Sequence, residues 1–412
     1  MRQVLLFFGF ILTLPMVAQN PLGFSFNSDQ EYVELSFKEE SNLIVIPIKL
    51  NGEGPFNFIL DTGSESGMIF DRWVIGSNNL VNARQIPIYA RDGDKVTDLL
   101  VANDLKIELT GIKGSSQTML VFQENDLDIR NALGVEAHGL LGSELFSRFI
   151  VEVDYENEKL RLYEPDSFSA PKGFKSLDII LDDFRPFIQV KLKQKKKKEV
   201  TLNLLVDSGA SSPLFLDYEN HDFIDFPEKT VKQTLGSSVV GNLDGATGRI
   251  QRIKLSNKFK FTKVVSSFPK DWEIKKNIGD GNNRIVRHGT LGSDILSRFN
   301  IIFDYFNEKI YLRPNRFYSE PFTFNRAGFS FAAIGKELNN YFITEIVENS
   351  PSETAGLEAG DEIISIDGKP IFFYTFSEIN AILRGPAGKK LTIIIQRNNE
   401  LFKKVIKLKK LV

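Results

Sequence analysis

Short β-branched and aromatic runs, broken by polar turn clusters, dominate the first three quarters of the chain, with the alternation expected of half-buried strands. The run Asn42-Leu43-Ile44-Val45-Ile46-Pro47-Ile48-Lys49-Leu50 predicts a strand, and Asn51-Gly52-Glu53-Gly54-Pro55 predicts a turn. A second strand, Phe56 to Leu60, then delivers Asp61 at its end. The same plan returns with Phe187-Ile188-Gln189-Val190-Lys191-Leu192, a turn, and Val200 to Val206 leading into Asp207. Each aspartate therefore follows a predicted hairpin. The turn of the second hairpin, Lys193-Gln194-Lys195-Lys196-Lys197-Lys198-Glu199, carries no interleaved aromatics and stands where the first copy has a plain turn. It reads as a solvated hairpin tip rather than a nucleic-acid patch.

The duplication continues beyond the aspartates. His138-Gly139-Leu140-Leu141-Gly142-Ser143-Glu144-Leu145-Phe146-Ser147-Arg148-Phe149 matches His288-Gly289-Thr290-Leu291-Gly292-Ser293-Asp294-Ile295-Leu296-Ser297-Arg298-Phe299, and both copies end on Asp-Tyr, at Tyr155 and Tyr305. In each, Leu-Gly-Ser reads as a strand end, a turn and a short helix, followed by a strand, a turn and a closing strand. Two homologous lobes, 22–165 and 170–318, account for this. From about Ala327 the pattern changes: a strand at Tyr341 to Val347 precedes Ala355-Gly356-Leu357 and Gly360-Asp361-Glu362-Ile363-Ile364. Apolar positions Phe376, Ile379, Ile382 and Leu383 then have the spacing of one amphipathic helix. A third, small domain, 325–412, is predicted here.

At 412 residues the chain is long enough for several cores, and a formal net charge of -2 gives no bulk reason to expect nucleic acid or an anionic membrane as partner. The absence of cysteine excludes disulfides, thiolate catalysis and cysteine zinc sites. Arg2, the apolar run from Val4 to Leu14 and the zone from Pro15 to Asn20 predict a signal peptide over 1–19. That run is short for a membrane span, so a cleaved signal is expected over its alternative, an uncleaved anchor. The mature protein is expected to be exported, to the periplasm or the extracellular space.

The loops Asp61-Thr62-Gly63-Ser64 and Asp207-Ser208-Gly209-Ala210, with the later Leu140-Leu141-Gly142 and Thr290-Leu291-Gly292, make residues 40–315 resemble the two lobes of a retropepsin/pepsin-type aspartic peptidase. The resemblance implies a mostly β, bilobal acid-protease fold and a catalytic pair formed by Asp61 and Asp207. Since both halves lie in one chain, the pair needs no homodimer. It further implies that Thr62 and Ser208 hydrogen-bond across the seam, and that flaps over the substrate lie near Ile86 to Val96, with Tyr89 as a contact, and near Gly241 to Gly248. Gly63 and Gly209 let backbone approach backbone. Two carboxylates held together cannot both ionise cheaply, so one keeps a proton and a mild-acid optimum follows. Ser64 is expected to donate to Asp61 and favour its charged form, while Ala210 offers Asp207 no donor, which makes Asp207 the expected proton holder.

The stretch Ala355-Gly356-Leu357, Gly360 to Ile364 and Ile366-Asp367-Gly368 resembles a PDZ domain of the bacterial, protease-associated type, a small α+β fold. That resemblance implies strand addition of an apolar C-terminal peptide, with its carboxylate taken by the loop Gly328-Phe329-Ser330-Phe331, in which Ser330 stands where glycine is usual. A domain that only packs on the peptidase is the alternative. His138 and His288 occupy equivalent positions; two histidines make a poor metal set, and structural hydrogen bonding is the expected role. No metal or cofactor is predicted, and the expected partners are peptide or protein substrates and a C-terminal peptide ligand. The overall expectation is an exported aspartic endopeptidase with a recruiting PDZ domain. The alternative from another class is a catalytically inactive peptide-binding scaffold.

Overall fold

The computed structural model describes residues 23–412 except 77–79, 81–82, 90–94, 124–129, 132–133, 196–197, 239–240, 271–284 and 336–337. The expected signal peptide thus lies outside the described residues, as do the tips of both expected flap hairpins. The chain is mostly β.

Both predicted hairpins form. Leu43–Leu50 pairs antiparallel with Glu53–Leu60, turning through Asn51 and Gly52 at positive φ, and Arg185–Lys193 pairs with Val200–Asp207. The second strand of each hairpin is then flanked by a parallel partner from much later in its lobe. Gly139–Leu141 lies beside Phe58 to Leu60, and Gly289–Gly292 beside Leu204 to Asp207. Each of these strands has an antiparallel neighbour on its other side, and that close approach explains the glycines of the repeat: a Cβ at Gly139 would lie 2.2 Å from Met68 O, and one at Gly289 2.2 Å from Phe215 O. The short helices Ser143–Phe146 and Ser293–Leu296 follow immediately, as the pattern predicts.

The lobes are joined by more than a linker. One six-stranded sheet takes Tyr32–Ser36, Ile150–Asp154 and Lys159–Tyr163 from the first lobe and Lys175–Asp178, Phe299–Asp304 and Lys309–Pro314 from the second. Its centre is the antiparallel pair of Ile150–Asp154 with Phe299–Asp304, in which every residue is buried. Buried Asp154 and Asp304 each accept from the backbone N–H and side-chain amide of the asparagine three residues on, so the duplicated turns are capped alike. One apolar core, from Phe24 to Phe322, runs through both lobes.

Residues 327–408 build a separate apolar core under their own sheet, ordered Phe329–Ile334, Asn340–Ile346, Glu362–Ile366, Lys390–Arg397, Glu400–Lys407. Phe329–Ile334 is an edge strand of that sheet. The predicted helix is Phe376–Leu383, started by a capping box in which Thr375 and Glu378 bond reciprocally. The chain's own end does not enter the space beside the edge strand. Lys410, Leu411 and Val412 line a different recess together with Arg249, Lys263, Phe322 and Arg326, and Lys410 O accepts from Lys229 Nζ at 3.3 Å. Among the described residues no helix is long and apolar enough to cross a membrane.

Candidate active site

Asp61 and Asp207 meet where the two lobes touch, each at the end of its hairpin. The loops are interlocked by four reciprocal hydrogen bonds. Thr62 N–H donates to Ser208 Oγ at 3.0 Å and Ser208 N–H to Thr62 Oγ1 at 3.0 Å. The hydroxyls then donate onward across the seam, Thr62 Oγ1 to Val206 O at 2.8 Å and Ser208 Oγ to Leu60 O at 2.7 Å. Both hydroxyl residues are 1% exposed, so each of these groups would be unsatisfied if its partner were removed.

The glycines set how close the carboxyls come. A Cβ on Gly63 would lie 2.6 Å from Asp207 Cγ, and one on Gly209 2.5 Å from Asp61 Cγ. Each glycine is therefore the floor on which the opposite carboxyl rests. Each also positions its own lobe's aspartate: Gly63 N–H donates to Asp61 Oδ1 at 2.7 Å and Gly209 N–H to Asp207 Oδ1 at 2.9 Å. The serines after the later glycines brace the loops from behind, Ser143 Oγ donating to Glu65 O at 2.7 Å and Ser293 Oγ to Ser208 O at 2.8 Å.

Although part of Asp61 remains accessible, its carboxyl is closely surrounded. Burial, and next the facing Asp207 carboxylate, hold it well above the usual carboxylate range, against the opposing donation from Gly63 N–H. The expected role of Ser64 is overturned here. Its hydroxyl donates to Ser66 O at 2.8 Å, turning the loop rather than serving Asp61. Ser64 therefore gives the Asp61 carboxyl no hydroxyl donor, just as Ala210 gives the Asp207 carboxyl none.

Two arginines that the motifs did not flag stand at this seam. Arg287 donates from Nε to Gly289 O at 3.3 Å and from Nη2 to Thr290 Oγ1, on the strand paired with the one that ends at Asp207. Burial pushes its guanidinium down to about 10; the attraction of Asp207 is the next influence, and Arg185 adds repulsion. Arg185 reaches from the second lobe to Glu65 of the first catalytic loop, Nη2 to Oε1 at 3.2 Å. Tyr305 was visible in the repeat as the end of Asp-Tyr but carried no assigned role. Its hydroxyl is buried, has no hydrogen-bond partner among the described residues and is held neutral by burial and by nearby Asp61.

The remaining expected residues lie elsewhere. Tyr89 ends the strand Arg84–Tyr89, and its side chain is outside the described residues. The second expected flap lies on Gly241–Lys254, which pairs with Thr230–Ser238. His138 and His288 each accept through Nδ1 from a backbone N–H, of Asn57 at 3.2 Å and Asn203 at 2.9 Å, as befits structural residues. In the third domain Gly328 has φ +85, and a Cβ there would lie 2.2 Å from Ser350 Cβ. Its N–H is engaged by Asn325 Oδ1 at 3.1 Å, and Asn325 Nδ2 donates to Phe329 O at 2.7 Å. Asn325 thus shapes the entry at Gly328, a role no local motif announced, while Phe329 to Phe331 of the expected loop are already paired in the edge strand Phe329–Ile334.

Comparison with known proteins agrees with this layout. Residues 46–145 match the aspartyl protease family and residues 342–397 match the PDZ domain family, so the chain carries an aspartyl protease domain followed by a C-terminal PDZ domain. Among curated proteins, two that bear the provisional name zinc metalloprotease, from Brucella suis biovar 1 and Brucella melitensis biotype 1, are 32% identical over 71 residues. One of the same provisional name from Mesorhizobium japonicum is 29% identical over 70 residues. These matches cover 17% of this chain and 18% of each relative, so the chain spans about a fifth of their length. Among solved structures, the photosystem II D1 C-terminal processing protease aligns with TM-score 0.20 and 18% identity over 21% of this chain and 24% of that one. The HtrA3 PDZ domain bound to a phage-derived ligand aligns with TM-score 0.19 and 21% identity over 21% of this chain and 86% of that one.

Proposed function

We propose that this protein is an exported endopeptidase of the aspartic type, in which Asp61 and Asp207 activate a water for attack on a peptide carbonyl and the PDZ domain recruits peptide C-termini. The observation that carries this reading is the mutual seating of the two carboxyls, each resting on the other lobe's glycine. Two carboxyls so placed share one proton at moderate pH. The ionised member takes a proton from the water as its oxygen attacks the carbonyl carbon. The protonated member hydrogen-bonds the carbonyl oxygen and supports the charge developing there. Collapse of the tetrahedral species, with a proton delivered to the amine nitrogen, releases both products without a covalent enzyme intermediate. The proton is held by the pair as a unit, with Asp61 raised by burial and by the facing Asp207.

Export is supported by the pattern of residues 1–19. The test of the catalytic reading is cleavage of an unfolded protein at mildly acidic pH by the wild type and by Asp61→Asn and Asp207→Asn. Each substitution is expected to lower the rate by about 10³-fold or more. Equal behaviour of all three proteins would leave the lobes as a noncatalytic scaffold.

A further inference from the structure

Away from the paired carboxyls, the boundary between the second lobe and the PDZ domain gathers positive charge with little to balance it. A recess of about 700 Å³ opens there. Arg249, Lys260 and Lys263 line it from the lobe, and Arg326 and Lys410 line it from the segment 325–412. Exposed Glu320 is the one acidic side chain in the lining, so even with a carboxylate counted at Val412 five cations face two acids. The two arginines are partly buried and form the floor, while the three lysines are exposed and form the rim. Two contacts tie the domain to the lobe nearby, Lys229 Nζ to Lys410 O at 3.3 Å and Thr234 N–H to Glu345 Oε2 at 3.0 Å. Neither neutralises an arginine.

The hydrogen bonds of both arginines go to backbone oxygens, and among the described residues neither forms an ion pair. Arg249 donates from Nη1 to Lys263 O at 2.6 Å and to Phe322 O at 3.1 Å, from Nη2 to Phe322 O at 3.1 Å and from Nε to Val412 O at 3.4 Å. Arg326 is held from one side only. Its Nη1 donates to Arg384 O at 2.7 Å and to Gly385 O, just past the helix Phe376–Leu383, and its Nε and Nη2 have no acceptor among the described residues. The edge formed by Nε–H and Nη2–H is the fork on which an oxyanion makes two parallel hydrogen bonds. Burial, and next the neighbouring Arg326 cation, hold the Arg249 guanidinium below its ordinary range, so the two cations repel each other across the domain boundary. Phe261 and Phe322, both buried with ring centroids 5.7 Å apart, give the recess an apolar floor that strengthens any charge pairing made above it.

We propose that this recess is a binding site for a phosphate monoester, whose phosphate bridges Arg249 of the peptidase and Arg326 of the PDZ domain and whose organic body lies on the phenylalanine floor. A phosphate monoester carries about -1.5 to -2 charges and three acceptor oxygens near neutral pH. That matches donors converging from two sides better than the single charge of a carboxylate does. The recess has room for the organic body as well, since its volume lies within the roughly 300–1,000 Å³ of small-ligand sites. Bound between the arginines, the anion replaces their repulsion by a shared attraction, so occupation holds the third domain against the lobe. The inference rests neither on the catalytic pair nor on peptide binding by residues 325–412.

The test is isothermal titration of the full wild-type chain with phenyl phosphate near neutral pH, with inorganic phosphate and benzoate as comparisons. Phenyl phosphate is expected to bind about tenfold or more tightly than either, because only it joins a dianion to an apolar body. Arg326→Met, which keeps an apolar stem and removes the fork, is expected to weaken phenyl phosphate about tenfold or more. Lys263→Glu reverses an exposed charge on the rim, so it gives a second measure should Arg326→Met fail to fold, and it is expected to weaken binding about three- to tenfold. Glu320→Gln is expected to tighten it about two- to threefold. Exchange of the Thr234 amide, which donates to Glu345 across the same boundary, is expected to slow when phenyl phosphate is bound. Phosphatidylcholine vesicles with and without phosphatidic acid separate the sources of the ester. Sedimentation with the phosphatidic acid vesicles alone, reversed by phenyl phosphate, would assign it to a lipid headgroup, and phenyl phosphate binding without sedimentation would assign it to a soluble compound. No saturable heat with phenyl phosphate, equal affinity for benzoate, affinity unchanged by Arg326→Met or by Lys263→Glu, or a Thr234 amide indifferent to the ligand would each overturn the proposal.

Discussion

In the first lobe the residue after Gly63 is a serine whose hydroxyl bends back to Ser66 O; in the second, Ala210 makes no such contact, and an arginine stands near the aspartate instead. The backbone frames of the two loops are nearly copies, with the same reciprocal hydroxyl bonds and the same glycine under the opposite carboxyl. What differs is charge in the surroundings. A duplicated frame fixes the positions of two carboxyls, and unduplicated neighbours then decide which of them carries the proton.

The largest effect that separates frame from surroundings comes from the glycines. Gly63→Ala and Gly209→Ala each push a methyl into the opposite carboxyl and are expected to cut turnover about 10²-fold or more. A variant that kept full activity would break the symmetry argued here. Next, Thr62→Val and Ser208→Ala are expected to destabilise the fold to similar extents, about 1–3 kcal/mol for each buried group left unpaired, read by urea unfolding. A large inequality between them would show that the interlock is not reciprocal in energy.

The surroundings are tested by pH. Asp61 is raised in the folded protein, so its stabilising contribution is complete below the unfolded carboxylate value and is lost as pH rises through the folded one. Asp61→Asn removes that loss. It is therefore expected to raise the thermal midpoint near neutral pH and to give no gain below about pH 4. The smallest effect is on the acid limb of the rate profile. Arg287→Met removes a cation that favours ionisation of the pair and is expected to move that limb toward neutrality, whereas Ser64→Ala is expected to leave it in place. The opposite result would return control of the pair's ionisation to Ser64.

Much of this was written in local sequence. The hairpins, the short helices and the capped turns follow from strand alternation, turn residues and the helix spacing at Phe376 to Leu383, all set within a few residues. Asp61 and Asp207 were legible because the chain repeats them in matched contexts. The direction of the Ser64 hydroxyl was not, since Asp61 and Ser66 lie three and two positions from it and only the folded turn chooses. Arg185 and Glu345 act through partners 120 and 111 positions away, Glu65 and Thr234, and no periodicity encodes such meetings. The joint sheet was hidden for the same reason: Ile150–Asp154 and Phe299–Asp304 read as ordinary buried strands, with nothing local to say that they pair with one another.

That joint sheet has a consequence during synthesis. When the ribosome has finished Ile150–Asp154, the strand that will complete its ladder is about 150 residues from being made, which at 5–20 residues per second is a wait on the order of ten seconds. Through that interval a nascent first half exposes an unpaired strand edge, the kind of surface that invites mispairing between neighbouring chains. On the export route proposed above, holding the chain unfolded until it has crossed the membrane would spare it that exposure.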